Sequence, residues 1–162
     1  MQVKKLAFIL YVFMMLSACT NKVYTKQESA LIVFKTSTFK YADLGFIYEN
    51  DEETKVDIYS SGQAVMSLKL SSASVCMSFL ECMSKKQFNK QILNAMYPED
   101  FLENVFKGQP IFHGENMLKT SNGFTQKLRK TDEYNINYSV LNKQILFHDT
   151  INNILIKIKR LH

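Results

Sequence analysis

The chain has 162 residues, of which 46% are hydrophobic and 22% charged, and its formal net charge is +5. This length suits one ordinary domain. Two of the basic residues, Lys4 and Lys5, fall in an N-terminal leader, so the remaining positive excess is too small to indicate a nucleic-acid-binding protein.

The first twenty residues have the layout of a secretory signal peptide. Lys4 and Lys5 precede an unbroken apolar run over residues 6–16, which is shorter than the about 20 residues that a transmembrane helix needs. Leu16-Ser-Ala-Cys19 then resembles the bacterial lipobox, whose cysteine is lipidated and becomes the first mature residue. We therefore expect residues 1–18 to be a lipoprotein signal peptide and Cys19 to carry a lipid. The alternative is an ordinary cleaved signal peptide in which Cys19 is incidental.

The segment after the leader is polar and has no regular hydrophobic period. Residues 19–30 are therefore interpreted as a tether between the lipid and a folded domain over residues 31–162.

From Leu31 onward the pattern is typical of β-strands, being rich in Val, Ile, Phe, Thr and Tyr. Polar turns are expected at 49–53 and 60–63. The strands predicted between them cover residues 31–41, 45–48, 55–59 and 64–70.

Two cysteines follow, in a segment that predicts a hairpin centred near Phe79. Such a hairpin would place Cys76 and Cys82 opposite one another, within reach of a disulfide in an oxidising compartment. The alternatives are two free buried thiols or a pair of metal ligands. The sequence has no matching His or Cys cluster nearby to complete a metal site.

The hydrophobic period then changes to that of helices. Residues 85–96 carry apolar side chains on one stripe, with Ser84 as the expected N-cap. A second short helix is expected to begin at Pro98 and to end at Gly108 and Pro110. The apolar faces comprise Phe88, Ile92, Leu93 and Met96 in the first helix, and Phe101, Leu102, Val105 and Phe106 in the second.

Strands return in the last third of the chain. Residues 134–140 alternate apolar and polar side chains, and so do residues 153–159, with Leu155 as the one apolar residue on the polar side. These patterns predict a mainly β fold with some α: a curved antiparallel sheet, forming an incomplete β-barrel, covered by short helices. The remaining strands are expected at 116–120, 124–130 and 144–148.

This order of elements resembles the LolA/LolB family of periplasmic lipoprotein carriers and receptors. The resemblance is carried by the strand-turn-strand stretch 56–70, the following hairpin and helix pair, and the last three strands. It implies a LolB-like domain, anchored by lipid to the periplasmic side of the outer membrane. Such a protein would receive the acyl chains of lipoproteins from a soluble LolA-like carrier and help to deliver them to that membrane.

A half-open barrel of this kind would offer a dry cavity for an acyl chain. The alternative is that the same side chains fill a solid core. The expected lining is Phe88, Ile92, Met96, Phe101 and Phe106 from the helices, and Tyr138 and Ile156, with Tyr134, Ile136, Ile154 and Ile158, from the sheet.

The family's receptor also has a protruding loop with an exposed leucine that is implicated in membrane insertion. The corresponding residues here are Gln63, Ala64 and Val65. A glutamine would not enter lipid favourably, although Val65 would substitute if the register shifted by two. The resemblance therefore supports acyl-chain binding better than insertion.

No sequence motif indicates catalysis. The chain has no GxSxG, HExxH, P-loop or Gly-rich dinucleotide turn, and His113, His148 and His162 are far apart. We expect no enzyme activity, cofactor, metal or nucleic-acid partner. The competing interpretations are a structural or adhesion lipoprotein with a filled core and, more weakly, a hydrolase with an unrecognised site.

Overall fold

The computed structural model describes residues 23–78 and 80–161. Eleven strands in these residues form one antiparallel sheet. The first six are β1 (Lys26–Lys35), β2 (Lys40–Glu49), β3 (Glu53–Ser60), β4 (Gln63–Ser71), β5 (Ser74–Met77) and β6 (Met83–Ser84). The last five are β7 (Met117–Thr120), β8 (Gly123–Lys130), β9 (Tyr134–Leu141), β10 (Gln144–Asp149) and β11 (Ile154–Arg160).

The sheet consists of two meanders joined in its middle, in the order β6-β5-β4-β3-β2-β1-β11-β10-β9-β8-β7. The first and last strands are neighbours there, with Ile32 opposite Ile158 and Phe34 opposite Ile156. The outer strands, β6 and β7, lie at opposite edges, so the sheet is open and consistent with an incomplete barrel. The predicted mainly β, antiparallel fold with short helices is confirmed.

Two short helices connect the meanders. Helix α1 (Lys85–Ile92) begins at Ser84, whose side chain accepts a hydrogen bond from the Gln87 backbone in a capping box. Helix α2 (Phe101–Lys107) ends at Gly108, which takes the left-handed conformation that favours glycine. A single 3₁₀ turn (Phe112–Gly114) follows. Neither of the two helices in the described part of the chain is long and apolar enough to cross a bilayer.

Both helix predictions were partly wrong at their ends. The first helix was expected to reach Met96 but stops at Ile92, with Leu93 as its C-cap. The side chain of Asn94 then accepts a hydrogen bond from the Met96 backbone at 2.7 Å, which stabilises a turn. Pro98 precedes the second helix instead of beginning it.

One face of the sheet is covered by the helices and carries the hydrophobic core. The alternation predicted for the last strand is confirmed: Ile154, Ile156 and Ile158 are buried, whereas Lys157 and Lys159 are exposed. The buried core residues extend from Ala30 to Ile158, so the described β domain contains a complete core of its own. The opposite face, which no helix of the described residues covers, is called the helix-free face below.

The strand predicted over residues 31–41 is two strands. Thr36 is buried, and its hydroxyl accepts hydrogen bonds from the backbone N–H groups of Thr38 (3.1 Å) and Phe39 (3.3 Å). This local bonding reverses the chain between β1 and β2 without the Gly, Pro, Asn or Asp that usually mark a turn. The tether predicted for residues 19–30 is also too long, because β1 begins at Lys26.

The two cysteines lie at the end of the β5–β6 pair. Ser74 is opposite Ser84 and Val75 opposite Met83, so Cys76 and Cys82 occupy the next facing positions. Their Cα atoms are 4.1 Å apart, and the structure joins their sulfurs in a disulfide. Phe79, where the hairpin was expected to be centred, lies outside the described residues.

Candidate functional site

The region predicted to be an acyl cavity is filled by side chains. The expected lining residues are almost completely buried, at 1% exposed for Phe88, 9% for Ile92, 0% for Phe101, Phe106 and Ile156, and 2% for Tyr138. A side chain with almost no accessible surface touches no space large enough for water. These residues therefore form a packed core, as the alternative interpretation expected, and do not line an open cavity.

The remaining helical member of the predicted lining, Met96, does not belong to this core. It is 45% exposed because the first helix ends four residues earlier. The buried aromatic of this segment is Tyr97, whose ring lies 4.4 Å from that of Phe101 and 5.9 Å from that of Phe147. The helical spacing of the sequence did not single out Tyr97.

Tyr97 also enters the main buried polar cluster of the domain. Its hydroxyl donates a hydrogen bond of 2.5 Å to the Asp149 carboxylate, which also accepts from the Asn152 side chain at 2.6 Å and from the Asn135 backbone N–H at 3.1 Å. Burial alone would raise the pKa of Asp149, but these hydrogen bonds outweigh it and lower that pKa below its usual value. Burial, followed by the bond to Asp149, raises the pKa of Tyr97.

This cluster has the geometry of a structural link. Asp149 has no accessible surface, and its acceptor positions are used by donors from three segments of the chain. The described residues contain no group of three or more His, Cys, Asp or Glu side chains that could hold a metal ion. We assign the cluster to fixing the segment between the helices against the turn after β10.

The predicted insertion residues do not form a protruding loop. Strands β3 and β4 are joined by a two-residue turn, Ser61–Gly62, in which both residues have positive φ, as tight hairpins require. Gln63 and Ala64 lie exposed at the beginning of β4, and Val65 packs against the core. The placement of Gln63, Ala64 and Val65 on an insertion loop was therefore wrong.

A concave apolar site does exist on the helix-free face. It is a groove of about 380 Å³ over the middle of the sheet, where β1 lies between β2 and β11. Leu31, Val33 and Ala42 supply apolar walls, and Lys157 and Lys159 border the groove on β11. Its volume falls in the range of roughly 300–1,000 Å³ that is typical of small-molecule sites.

A second depression of about 480 Å³ lies farther along β2, toward the β3–β4 turn. Leu44, Phe46, Tyr59 and Leu161 line it, and Asp43 lines both depressions. The carboxylate of Asp43 accepts a hydrogen bond from the Leu44 backbone N–H at 2.8 Å. Together the two depressions make an apolar surface whose charged border is formed by lysines on one side.

The strand register explains why the groove forms. Leu31 faces Leu44 on β2 and Lys159 on β11, and Val33 faces Ala42 and Lys157. Small Ala42 leaves space beside Val33, while the two long lysine side chains rise along the other wall. We call the groove formed by these residues of β11, β1 and β2 the leucine groove: Leu31, Val33, Ala42, Lys157 and Lys159.

The sequence carried a signal for this site that the strand prediction did not use. In β1 the buried residues Ala30, Ile32 and Phe34 alternate with Leu31 and Val33, so both faces of the strand are apolar. A continuous apolar run is typical of strands covered on both sides. Among the residues that the structure describes, only one side of β1 is covered, and the other side carries the groove. Cys19, the predicted lipid attachment site, lies outside the described residues.

No protein-family model and no curated protein matches this chain.

Proposed function

We propose that the chain is a lipid-anchored, LolB-like protein of the periplasmic side of the outer membrane, which binds acyl chains of lipoproteins and helps to deliver them to that membrane. The observation that carries this proposal is the leucine groove on the exposed helix-free face. Its apolar walls suit a hydrocarbon chain. The lipobox-like sequence at Cys19 supports the anchor.

The groove has the two kinds of surface that an acylated ligand needs. Leu31, Val33 and Ala42 offer apolar contact to a hydrocarbon chain, and Lys157 and Lys159 offer positive charge to an anionic group beside it. Burying one methylene contributes about 0.8 kcal/mol, so two or three additional buried methylenes favour transfer from a soluble carrier about tenfold or more. Transfer by affinity alone needs no nucleotide.

The LolB-like part of the proposal is supported by organisation: an open antiparallel sheet with a pair of short helices between its two halves. The position of the acyl-binding site differs from the one expected from the sequence. The helix-covered side is a packed core, so acyl binding is assigned to the opposite face. The two-residue Ser61–Gly62 turn gives no support to a membrane-insertion loop.

The alternative function is a structural or adhesion lipoprotein without carrier activity. The filled core favours this alternative, because a structural or adhesion protein needs no internal ligand-binding site. The two functions differ in whether the leucine groove takes up a hydrocarbon chain.

Filling the groove should abolish acyl binding. Ala42→Trp replaces a small exposed residue of β2 with a large side chain that should occupy the groove. Because the position is exposed, the variant protein should fold normally. We expect a fluorescent fatty acyl probe to bind the chain of residues 20–162. The variant should bind the probe at least about tenfold more weakly. A tenfold change in affinity corresponds to about 1.4 kcal/mol, which is the contribution of about two buried methylenes. Fluorescence titration measures both affinities.

The matched control is Ala95→Trp, which adds the same side chain at an exposed position in the segment between the helices. It should bind the probe as the unmodified chain does. Equal loss in both variants, or probe binding that Ala42→Trp leaves intact, would refute the groove as the site. Complete absence of probe binding by the unmodified chain would leave the structural lipoprotein as the function.

The anchor is tested separately through Cys19. After the membranes are washed at high salt, which weakens charge-dependent contacts, Cys19→Ala should be found in the soluble fraction, because the described helices offer no replacement anchor. Mass spectrometry of the membrane-bound wild type should show acyl chains on the N-terminal cysteine. A wild type without acyl mass would contradict the lipoprotein assignment.

A further inference from the structure

The part of the helix-free face formed by β8, β9, β10, β11 and β1 has a one-sided charge distribution that extends well beyond the groove. By the strand register, the side chains of β8, β9, β10, β11 and β1 that point to this face include five cations and no carboxylate among the described residues. The five cations are Lys35, Lys127, Arg129, Lys157 and Lys159. We call this surface the basic face.

Within residues 23–78 and 80–161, the cations of the basic face form no ion pair. The lysines and arginine that pair with carboxylates in the described residues lie elsewhere, as in the contacts of Lys85 and Lys107 with Glu103 at 2.9 Å and 2.6 Å. Lys35 contacts the neutral side chain of Asn153 at 3.3 Å. The positive charge of the basic face is therefore available to an external anion.

Exposed leucines lie among these cations. Leu146 faces Lys157 across β10 and β11, and Leu31 faces Lys159 across β1 and β11. Leu31 is 44% exposed, Leu146 40%, and Leu44 on the adjoining strand 51%. Large apolar side chains that are exposed together on one surface mark an interaction site more often than single exposed leucines do.

We propose that the basic face docks against the surface of an anionic phospholipid bilayer. Lipid phosphates would contact the lysine and arginine side chains, while Leu31, Leu44 and Leu146 would enter the boundary between headgroups and acyl chains. Surfaces that combine Lys or Arg with Leu bind bilayers in this way, with affinity from both apolar burial and charge. A nucleic acid would use the charge but would give the leucines no apolar partner.

The proposed lipid anchor is compatible with this docking. Cys19 is seven residues before Lys26, the first residue of β1, and seven extended residues span at most about 25 Å. A lipid on Cys19 would thus hold the domain close to the bilayer, next to the strand that carries Leu31. The anchor rests on the proposed function, whereas the charge and leucine pattern of the face does not.

The docking is tested with the unanchored chain of residues 20–162, which retains the complete core, and with lipid vesicles. The chain should float with vesicles of phosphatidylglycerol mixed with phosphatidylcholine, and not with phosphatidylcholine alone. Each basic residue near an anionic surface strengthens binding about fivefold. Lys157→Glu/Lys159→Glu should therefore weaken binding at least tenfold, and raising the salt concentration should weaken binding of the unmodified chain.

The matched control reverses two exposed lysines on the helix-covered side, Lys86→Glu/Lys90→Glu, with the same change in net charge. This variant should retain most of the affinity of the unmodified chain for the anionic vesicles. A second pair on the basic face, Lys127→Glu/Arg129→Glu, should lose binding as the first pair does, which guards against misfolding of either variant. Circular dichroism checks the fold of each.

Loss of binding that is equal for Lys86→Glu/Lys90→Glu and Lys157→Glu/Lys159→Glu would overturn the proposal, because net charge and not the basic face would then decide binding. Absence of binding to the anionic vesicles by the unmodified chain would overturn it as well. Neither result bears on the acyl probe, whose uptake by the leucine groove is measured without vesicles.

Discussion

Replacing Phe147 with alanine is expected to lower the free energy of unfolding by about 3–5 kcal/mol. Phe147 has no accessible surface, and its ring lies 4.8 Å from that of Phe101 on α2 and 6.4 Å from that of Tyr138 on β9. The truncation would therefore leave a void where the helix pair meets the sheet. Urea unfolding followed by circular dichroism measures the change.

The neighbouring residue on the same strand provides the control. Leu146 points to the helix-free face and is 40% exposed, so Leu146→Ala should change the free energy of unfolding by no more than about 0.5 kcal/mol. If Phe147→Ala were as mild as Leu146→Ala, the helix-covered side would not be a packed core, and the acyl cavity first predicted there would have to be reconsidered.

The second large effect is expected at Asp149. Asp149→Ala removes the acceptor for the hydroxyl of Tyr97, the side chain of Asn152 and the backbone N–H of Asn135. Each donor left without a partner costs about 1–3 kcal/mol when it is buried, so a loss of about 3 kcal/mol in the free energy of unfolding is expected. Asp51→Ala, at an exposed turn position, is the control and should be nearly neutral.

The effect of Asp149 should also depend on pH. Its pKa is lowered in the folded domain, so its carboxylate stabilises the fold fully above the unfolded-state pKa of about 3.9. This contribution is lost as the pH falls through the lower, folded-state pKa. The difference in unfolding free energy between wild type and Asp149→Ala should therefore be constant near neutral pH and shrink below about pH 4. A difference that grew on acidification would contradict the network.

The sequence predicted best the strands with the clearest alternation. In β9, and in β11 apart from Leu155, one apolar and one polar set of side chains leave a single possible orientation, and the buried residues Ile136, Tyr138 and Ile156 follow it. The reversal between β1 and β2 was missed because Thr36 forms it through its hydroxyl, in a sequence that otherwise favours a continuous strand.

The candidate site was harder to predict than the fold. Periodicity shows which side chains share a face, but it does not show whether the facing surfaces meet and fill the space between them. Phe101 and Phe106 were compatible with a cavity or a core, and only the packing of α2 against the sheet distinguishes the two. The leucine groove depends on the pairing of β1 with β11, which are separated by almost the whole chain.

The central pairing of β1 with β11 also affects the order in which the strands of the sheet can pair during folding. Among the described strands, synthesis from the N-terminus produces β1 first and the seven residues of β11 last. Until those residues arrive, β1 has only β2 beside it, and its other edge has no partner. The middle of the sheet therefore closes last. Loss of only these last residues would expose two long strand edges, which favour pairing between molecules.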